Sequence, residues 1–155
     1  MNRDNLKIVY TILYLYLMSV KREIIEEVSV EELMSLQKCI DTDGDKILIV
    51  KFTATWCRPC QTIKQLTHEC FTNLPKNVII AEVDVDDNMD LYMFMKKKRI
   101  VSGIPAILAW FPTQSRDQSH WYMPNDSVSG STHAEIFELF KRCNTKAIAV
   151  TPFIL

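Results

Sequence analysis

Apolar positions along the chain fall into continuous runs and helically spaced faces, and the two kinds alternate. Ile47 to Thr53 (ILIVKFT) and Val78 to Val85 (VIIAEVDV) are nearly unbroken, the pattern of strands buried on both faces. Between them Ile63, Leu66 and Cys70 share one helical face, as Leu33, Leu36 and Ile40 do earlier in the chain. Ser29 with Glu32 forms the S-x-x-E pattern of a capping box, and Thr42 to Asp45 (TDGD) reads as the turn that ends the helix so begun. Asp86 to Asn88 can cap a short helix ending near Lys98, where Lys96, Lys97, Lys98 and Arg99 suit the negative end of the helix dipole. A third strand, Ala106 to Phe111 (AILAWF), follows Ile104-Pro105. His120 to Met123 (HWYM) reads as a short edge strand. Thr132 with Glu135 repeats the capping-box pattern ahead of a last helix, whose core face is Ile136, Leu139, Phe140 and Cys143.

This order predicts an α/β fold. The strand–helix–strand unit implies a parallel pair, and the short link between the last two strands implies an antiparallel one. The result is a central mixed sheet of four to five strands flanked by helices.

The pattern frays at both ends. Ile8 to Val20 (IVYTILYLYLMSV) is apolar, with Arg3 and Lys7 before it and Lys21 and Arg22 after it. It falls short of the ~20 residues a membrane span needs, and no small-residue cleavage site follows it. Residues 1–19 are therefore read as an extension: a signal-like core or short anchor, an extra strand, or a poorly ordered segment. The domain proper is placed at 20–145. The apolar but unpatterned 146–155 is left as a tail.

Composition narrows the class. The 155 residues carry Lys+Arg 18 against Asp+Glu 19, so nothing in the charge points to nucleic acid. Membrane contact has a route only through residues 8–20. The cysteines are Cys39, Cys57, Cys60, Cys70 and Cys143, an odd and scattered set unlike a secreted disulfide framework. A cytoplasmic setting follows from that, with a membrane-anchored or exported one as the alternative that the apolar N-terminus raises.

Only one pair of cysteines is close. Trp56-Cys57-Arg58-Pro59-Cys60 follows a buried strand and opens a helix, with Pro59 where a first turn accepts proline. A cysteine at a helix N-terminus meets unpaired N–H groups and the positive end of the dipole, which favour thiolate over thiol. Cys57, the more exposed, is then the nucleophile. Cys60, one turn deeper, is the resolving thiol that closes the Cys57–Cys60 disulfide. Trp56 offers apolar surface to a substrate, and the Arg58 cation stabilises the thiolate further. Half of a zinc site is the competing reading, but no second close pair of Cys or His completes it, so no metal is assigned. Gly103-Ile104-Pro105 before a strand suits a cis-proline turn, whose Ile104 backbone could pair with an extended substrate segment.

With these residues in place, the chain resembles the thioredoxin family. Ala54-Thr55-Trp56-Cys57 with Pro59-Cys60 is similar to its active-site segment, Glu82 to Asp87 (EVDVDD) to its central strand, and Gly103-Ile104-Pro105 to its cis-proline turn. The resemblance runs from about Val20 to Cys143. It implies the thioredoxin fold, dithiol–disulfide exchange without a bound cofactor, and functional positions at Trp56, Cys57, Cys60 and Pro105. It also implies two partners: disulfide-containing proteins as substrates, and a thioredoxin reductase, flavin- and NADPH-dependent, as electron source.

Three departures stand out. Arg58 replaces the family's usual glycine, and residues 112–127 replace a compact turn. Lys51, six residues before Cys57, replaces a buried aspartate thought to help Cys60 lose its proton. Lys51 could snorkel to the sheet edge and only pack. Buried and neutral it could accept a proton, and charged it would stabilise thiolates. A protein-disulfide reductase is the leading expectation. An oxidising or isomerising relative, exported or anchored, and a non-catalytic interaction module are the alternatives.

Overall fold

The computed structural model of the protein describes residues 3–19 and 22–152. The domain boundary expected at Val20 and the last residues of the tail, 153–155, lie outside these. The elements run α1 (Arg3–Ser19), α2 (Val30–Asp43), β1 (Ile47–Thr53), α3 (Arg58–Thr62), α4 (Lys64–Asn73), β2 (Val78–Asp84), α5 (Met89–Lys97), β3 (Ala106–Trp110), β4 (Asp126–Ser129) and α6 (His133–Val150).

The sheet order is β2-β1-β3-β4. β1 and β2 are parallel, with Ile47 opposite Val78 and Thr53 opposite Asp84. β3 runs antiparallel to β1, and β4 antiparallel to β3. Ile25 adds one parallel bridge to Ala81 at the β2 edge, a vestige of a fifth strand.

Strand periodicity divides the core into two layers. Leu48, Val50 and Phe52 face α2 and α5, where Leu33, Ile40, Leu91 and Met95 complete one cluster. Ile47 and Ile49 face α4 and α6, with Phe71, Ile136, Leu139 and Phe140. A fully buried aliphatic or aromatic side chain stabilises by about 1.5–3 kcal/mol, so these layers, rather than helix propensity, hold the helices in place.

Local signals set the element ends. The Ser29–Glu32 capping box forms with both reciprocal bonds, at 3.1 and 2.7 Å. Gly44 closes α2 at φ 73°, a left-handed conformation that its missing Cβ permits. Thr132 stands at the N-cap of α6 without a side-chain cap bond, so the second expected capping box does not form. Asn88 likewise makes no cap for α5. Its side chain instead accepts from Val28 N–H at 2.8 Å and donates to the carbonyls of Glu26 and Asp84, tying the pre-α2 segment to the end of β2.

Three further expectations differ from the structure. Residues 3–19 form a helix instead of an extra strand or an unordered extension. His120–Met123 is no edge strand: a single 3-10 turn over Gln118–His120 leads into Trp121 and Tyr122, and the edge strand is the polar Asp126–Ser129. The aromatic residues are drawn to α5 instead of a ladder, with Trp121 stacked on Phe94 at 5.7 Å and Tyr122 edge-on to it at 5.8 Å. α6 continues to Val150 with Ala147 buried, so the tail placed at 146–155 begins as core helix.

The segment between β3 and β4 is held by one residue. The Arg116 side chain, 6% exposed, pairs with Asp41 at 2.7 Å and donates to the carbonyls of Phe111 and Met123 and to Asn125 Oδ1. Because β3 leaves the sheet opposite Leu48, this loop sits at the pole away from the end of β1. Removing one partner of a buried pair strands the other, so Arg116→Ala is expected to cost about 3 kcal/mol in urea unfolding. Arg142→Ala, which breaks the exposed pair with Asp126, is expected to cost under about 1 kcal/mol. Equal costs would show that the loop is not held through Arg116.

Candidate active site

β1 delivers the chain to the site. After Thr53 the strand ends, and Cys57 becomes the N-cap of α3 in extended conformation, at φ -81° and ψ 103°. Its Sγ takes the place of a capping oxygen and accepts the Cys60 N–H at 3.2 Å. Pro59 stands in the first turn, where its missing donor is not needed. Cys57 and Cys60 are joined as a disulfide, with Cα atoms 5.2 Å apart. Cys57 is 5% exposed and Cys60 1%, so the first sulfur is the more accessible.

Opposite the pair lies the turn before β3. The Ile104–Pro105 peptide is cis. Ile104 O is 3.9 Å from Cys57 Sγ, and Pro105 O accepts the Gly130 N–H at 2.9 Å from beyond β4. Trp56 is 67% exposed and donates from Nε1 to Asp86 at 2.8 Å. Arg58 and Pro59 are exposed on the outer side of the first turn, and Arg58 has no ion-pair partner among the described residues.

Lys51 does not snorkel. β1 is an inner strand, and the Lys51 side chain is 1% exposed. A buried ammonium without partners costs several kcal/mol. Here Nζ donates to Glu82 at 2.9 Å, its register neighbour on β2, and to Thr67 of α4 at 2.8 Å. His68 completes the group, with Nε2 3.3 Å from Glu82. Burial pushes the Glu82 carboxyl up, but the charge and hydrogen bond of Lys51, with the His68 bond, outweigh it and hold Glu82 below its ordinary value. A charged lysine cannot take a proton, so the arrangement leaves an ion pair in place of a lone buried acid.

The remaining cysteines are unlike the pair. Burial pushes Cys143 up to about 12. Burial, with the Glu69 charge, also raises Cys70. Both stay thiols at neutral pH and are poor nucleophiles. Among the described residues no group of three His, Cys, Asp or Glu could hold a metal ion.

Sequence reasoning named Trp56, Cys57, Arg58, Pro59, Cys60, Ile104 and Pro105; the fold joins Cys57 to Cys60, sets the Ile104 carbonyl 3.9 Å from Cys57 Sγ, and leaves Trp56, Arg58 and Pro59 exposed beside the pair. It gave no site role to Asp86, placed in a helix cap, to Glu82, placed in a strand, or to Thr67. A lysine inside an otherwise apolar strand was the available signal that a buried carboxylate had to exist.

A dithiol capping the helix that leaves the central strand of a mixed sheet, faced across the surface by a cis-proline turn, defines a protein of thioredoxin fold. The chain belongs to the thioredoxin family, whose model matches residues 27–129. Thioredoxin of Homo sapiens is 44% identical over 62 residues, which cover 40% of this chain and 58% of the human protein. Thioredoxin of Ovis aries is 34% identical over 84 residues, covering 47% and 79%. The solved structure of Malassezia sympodialis thioredoxin is similar in fold, with a TM-score of 0.55 at 20% identity over 81% of this chain and 95% of that one.

The Lys51–Glu82 pair has a pH signature. Its carboxyl is depressed from the ordinary 4.5 in the fold. Its contribution is therefore complete above about pH 4.5 and is lost as pH falls through the lower folded value. Glu82→Gln is expected to destabilise by about 2 kcal/mol at neutral pH. In urea unfolding the gap to the parent protein should narrow as pH falls below the ordinary carboxylate range and the parent's carboxyl takes up its proton. A gap independent of pH would mean that Glu82 acts by packing alone.

Proposed function

We propose that this protein is a thiol–disulfide oxidoreductase that reduces disulfides in other proteins. The observation that carries the reading is the Cys57 sulfur in the N-cap position, accepting the Cys60 N–H at 3.2 Å with Cys60 buried behind it. A negative sulfur at that position gains the hydrogen bond and the dipole together. The Cys57 thiolate attacks one sulfur of a substrate disulfide, forming a mixed disulfide and releasing the other substrate sulfur as thiolate. Cys60, deprotonated, attacks Cys57 Sγ, closes the Cys57–Cys60 disulfide and releases the second thiolate. Two electrons have passed to the substrate, and none are stored elsewhere.

Ile104 and Pro105 supply backbone against which an extended substrate segment can lie, and exposed Trp56 supplies an apolar platform, fixed by Asp86. Return of the dithiol to the reduced state requires an electron donor, which we assign to a flavin- and NADPH-dependent thioredoxin reductase. A cytoplasmic setting fits the reducing direction.

The Arg58 cation and the Lys51–Glu82 pair bear on direction. Glu82 cancels the Lys51 charge, so Arg58 is left as the main cationic influence on the sulfurs, and it is screened by solvent. Equilibration of the protein with glutathione is expected to give a potential near about -270 mV. Arg58→Gly should move it about 20 mV lower. A value near about -120 mV would instead identify an oxidant. The reduced protein's Cys57 should titrate below the ~8.5 of a free thiol. Cys60→Ser is expected to accumulate a mixed disulfide with disulfide-bonded insulin as substrate, and Cys57→Ser to lose about a thousandfold in rate or more. Full activity in a double Cys57→Ser, Cys60→Ser protein would leave only an interaction module.

A further inference from the structure

Helix α1 is apolar on every side. Its 17 residues carry no charge after Lys7, and Ile8, Val9, Tyr10, Ile12, Leu13 and Tyr14 are each at least half exposed. Successive residues turn by about 100°, so these side chains point all around the axis. A groove on a protein covers one face of a helix. A covering for all faces is the interior of a lipid layer. The helix is about 25 Å long, under the ~30 Å of a hydrocarbon core, and among the described residues no helix is long and apolar enough to cross a membrane.

Charge supplies the second observation. Arg3 and Lys7 lie at one end of α1 with Asp4 between them, and Lys21 and Arg22 follow it. Arg22 fixes where the chain enters the domain: its guanidinium donates to the carbonyls of Leu74, Pro75 and Val78, at the start of β2. That is the pole opposite the dithiol, which follows the far end of β1. The same pole carries Lys76, Lys98 against Tyr122, and Lys146 against Phe111, none with a carboxylate partner among the described residues. Of its carboxylates, Asp41 pairs with Arg116, Asp43 and Asp45 share Lys46, and Asp117 lies against His120. At the dithiol pole carboxylates outnumber cations around one cavity of about 290 Å³, where Glu26, Glu27, Asp84 and Asp87 join the Lys51–Glu82 pair and Lys64.

We propose that α1 is a lipid anchor: it enters one anionic leaflet without spanning the bilayer, and the basic pole of the domain rests toward that surface with the dithiol turned away.

The test is flotation of the full chain with vesicles of phosphatidylcholine alone and of phosphatidylcholine mixed with phosphatidylserine. Binding does not depend on redox activity, so it reads independently of the function proposed above. The chain is expected to float with the mixed vesicles and more weakly with the neutral ones. Ile12→Asp/Leu13→Asp should weaken binding by about a hundredfold or more while leaving the domain's urea midpoint in place. Arg3→Gln/Lys7→Gln should lose about 30-fold on anionic vesicles only. Lys76→Glu/Lys146→Glu should lose about tenfold or more there, and an unchanged affinity would overturn the orientation. No flotation, or flotation that survives the paired aspartates, overturns the anchor. So does a dimer in sedimentation velocity that the paired aspartates dissolve, because α1 would then be covered by a second copy.

Discussion

Strand β1 gives up almost no surface to water. Leu48, Val50 and Phe52 are buried against α2 and α5, and Ile47 and Ile49 against α4 and α6. A strand buried on both faces cannot slip by one residue without exchanging its two sets of side chains between unlike layers. That constraint fixes where β1 stops, and so where the chain turns into α3. The position of Cys57 is set by the packing of the strand that precedes it. The cis-proline turn is set the same way, through β3, whose Ala106 lies opposite Phe52.

The same burial explains the one charged residue in β1. Lys51 occupies a position that α4 and α6 would otherwise fill with an aliphatic side chain, and its ammonium survives there because β2 supplies Glu82 in register and α4 supplies Thr67. An ion pair of this kind adds little net stability compared with a hydrophobic replacement. Its effect is on the chemistry: the buried group next to the redox helix is a neutralised pair, not an isolated acid. In the reading proposed here, proton removal from Cys60 then depends on solvent and the helix field more than on a dedicated base.

Much of this was legible in the amino-acid order. Long apolar runs named β1, β2 and β3, and the Trp56–Cys60 segment after such a run named the site. Where the reading failed, the deciding contacts were distant in sequence. The HWYM stretch has strand-like composition, yet Trp121 and Tyr122 gain more by packing on Phe94 than by pairing with β3. β4 is polar in sequence because one of its faces is open, and only the ladder with β3 identifies it. Lys51 announced an anomaly, but nothing local could name Glu82, which lies on another strand and is found through register alone. The end of α6 was missed because Ala147 and Val150 carry too little pattern until the β-sheet beneath them is known.

The molecule's nearly balanced charge conceals a separation along its length. Carboxylates outnumber cations around the cavity beside the disulfide, and Lys98 and Lys146, without carboxylate partners among the described residues, stand at the end where β2 begins. Encounters with such a body are governed by the charges nearest the contact more than by the sum. A collision partner with a cationic rim around its own sulfur chemistry is turned toward the disulfide before contact, while an anionic one is turned toward the wrong end. The rate at which the two sulfurs meet a partner is then a property of ionic strength as much as of thiol reactivity.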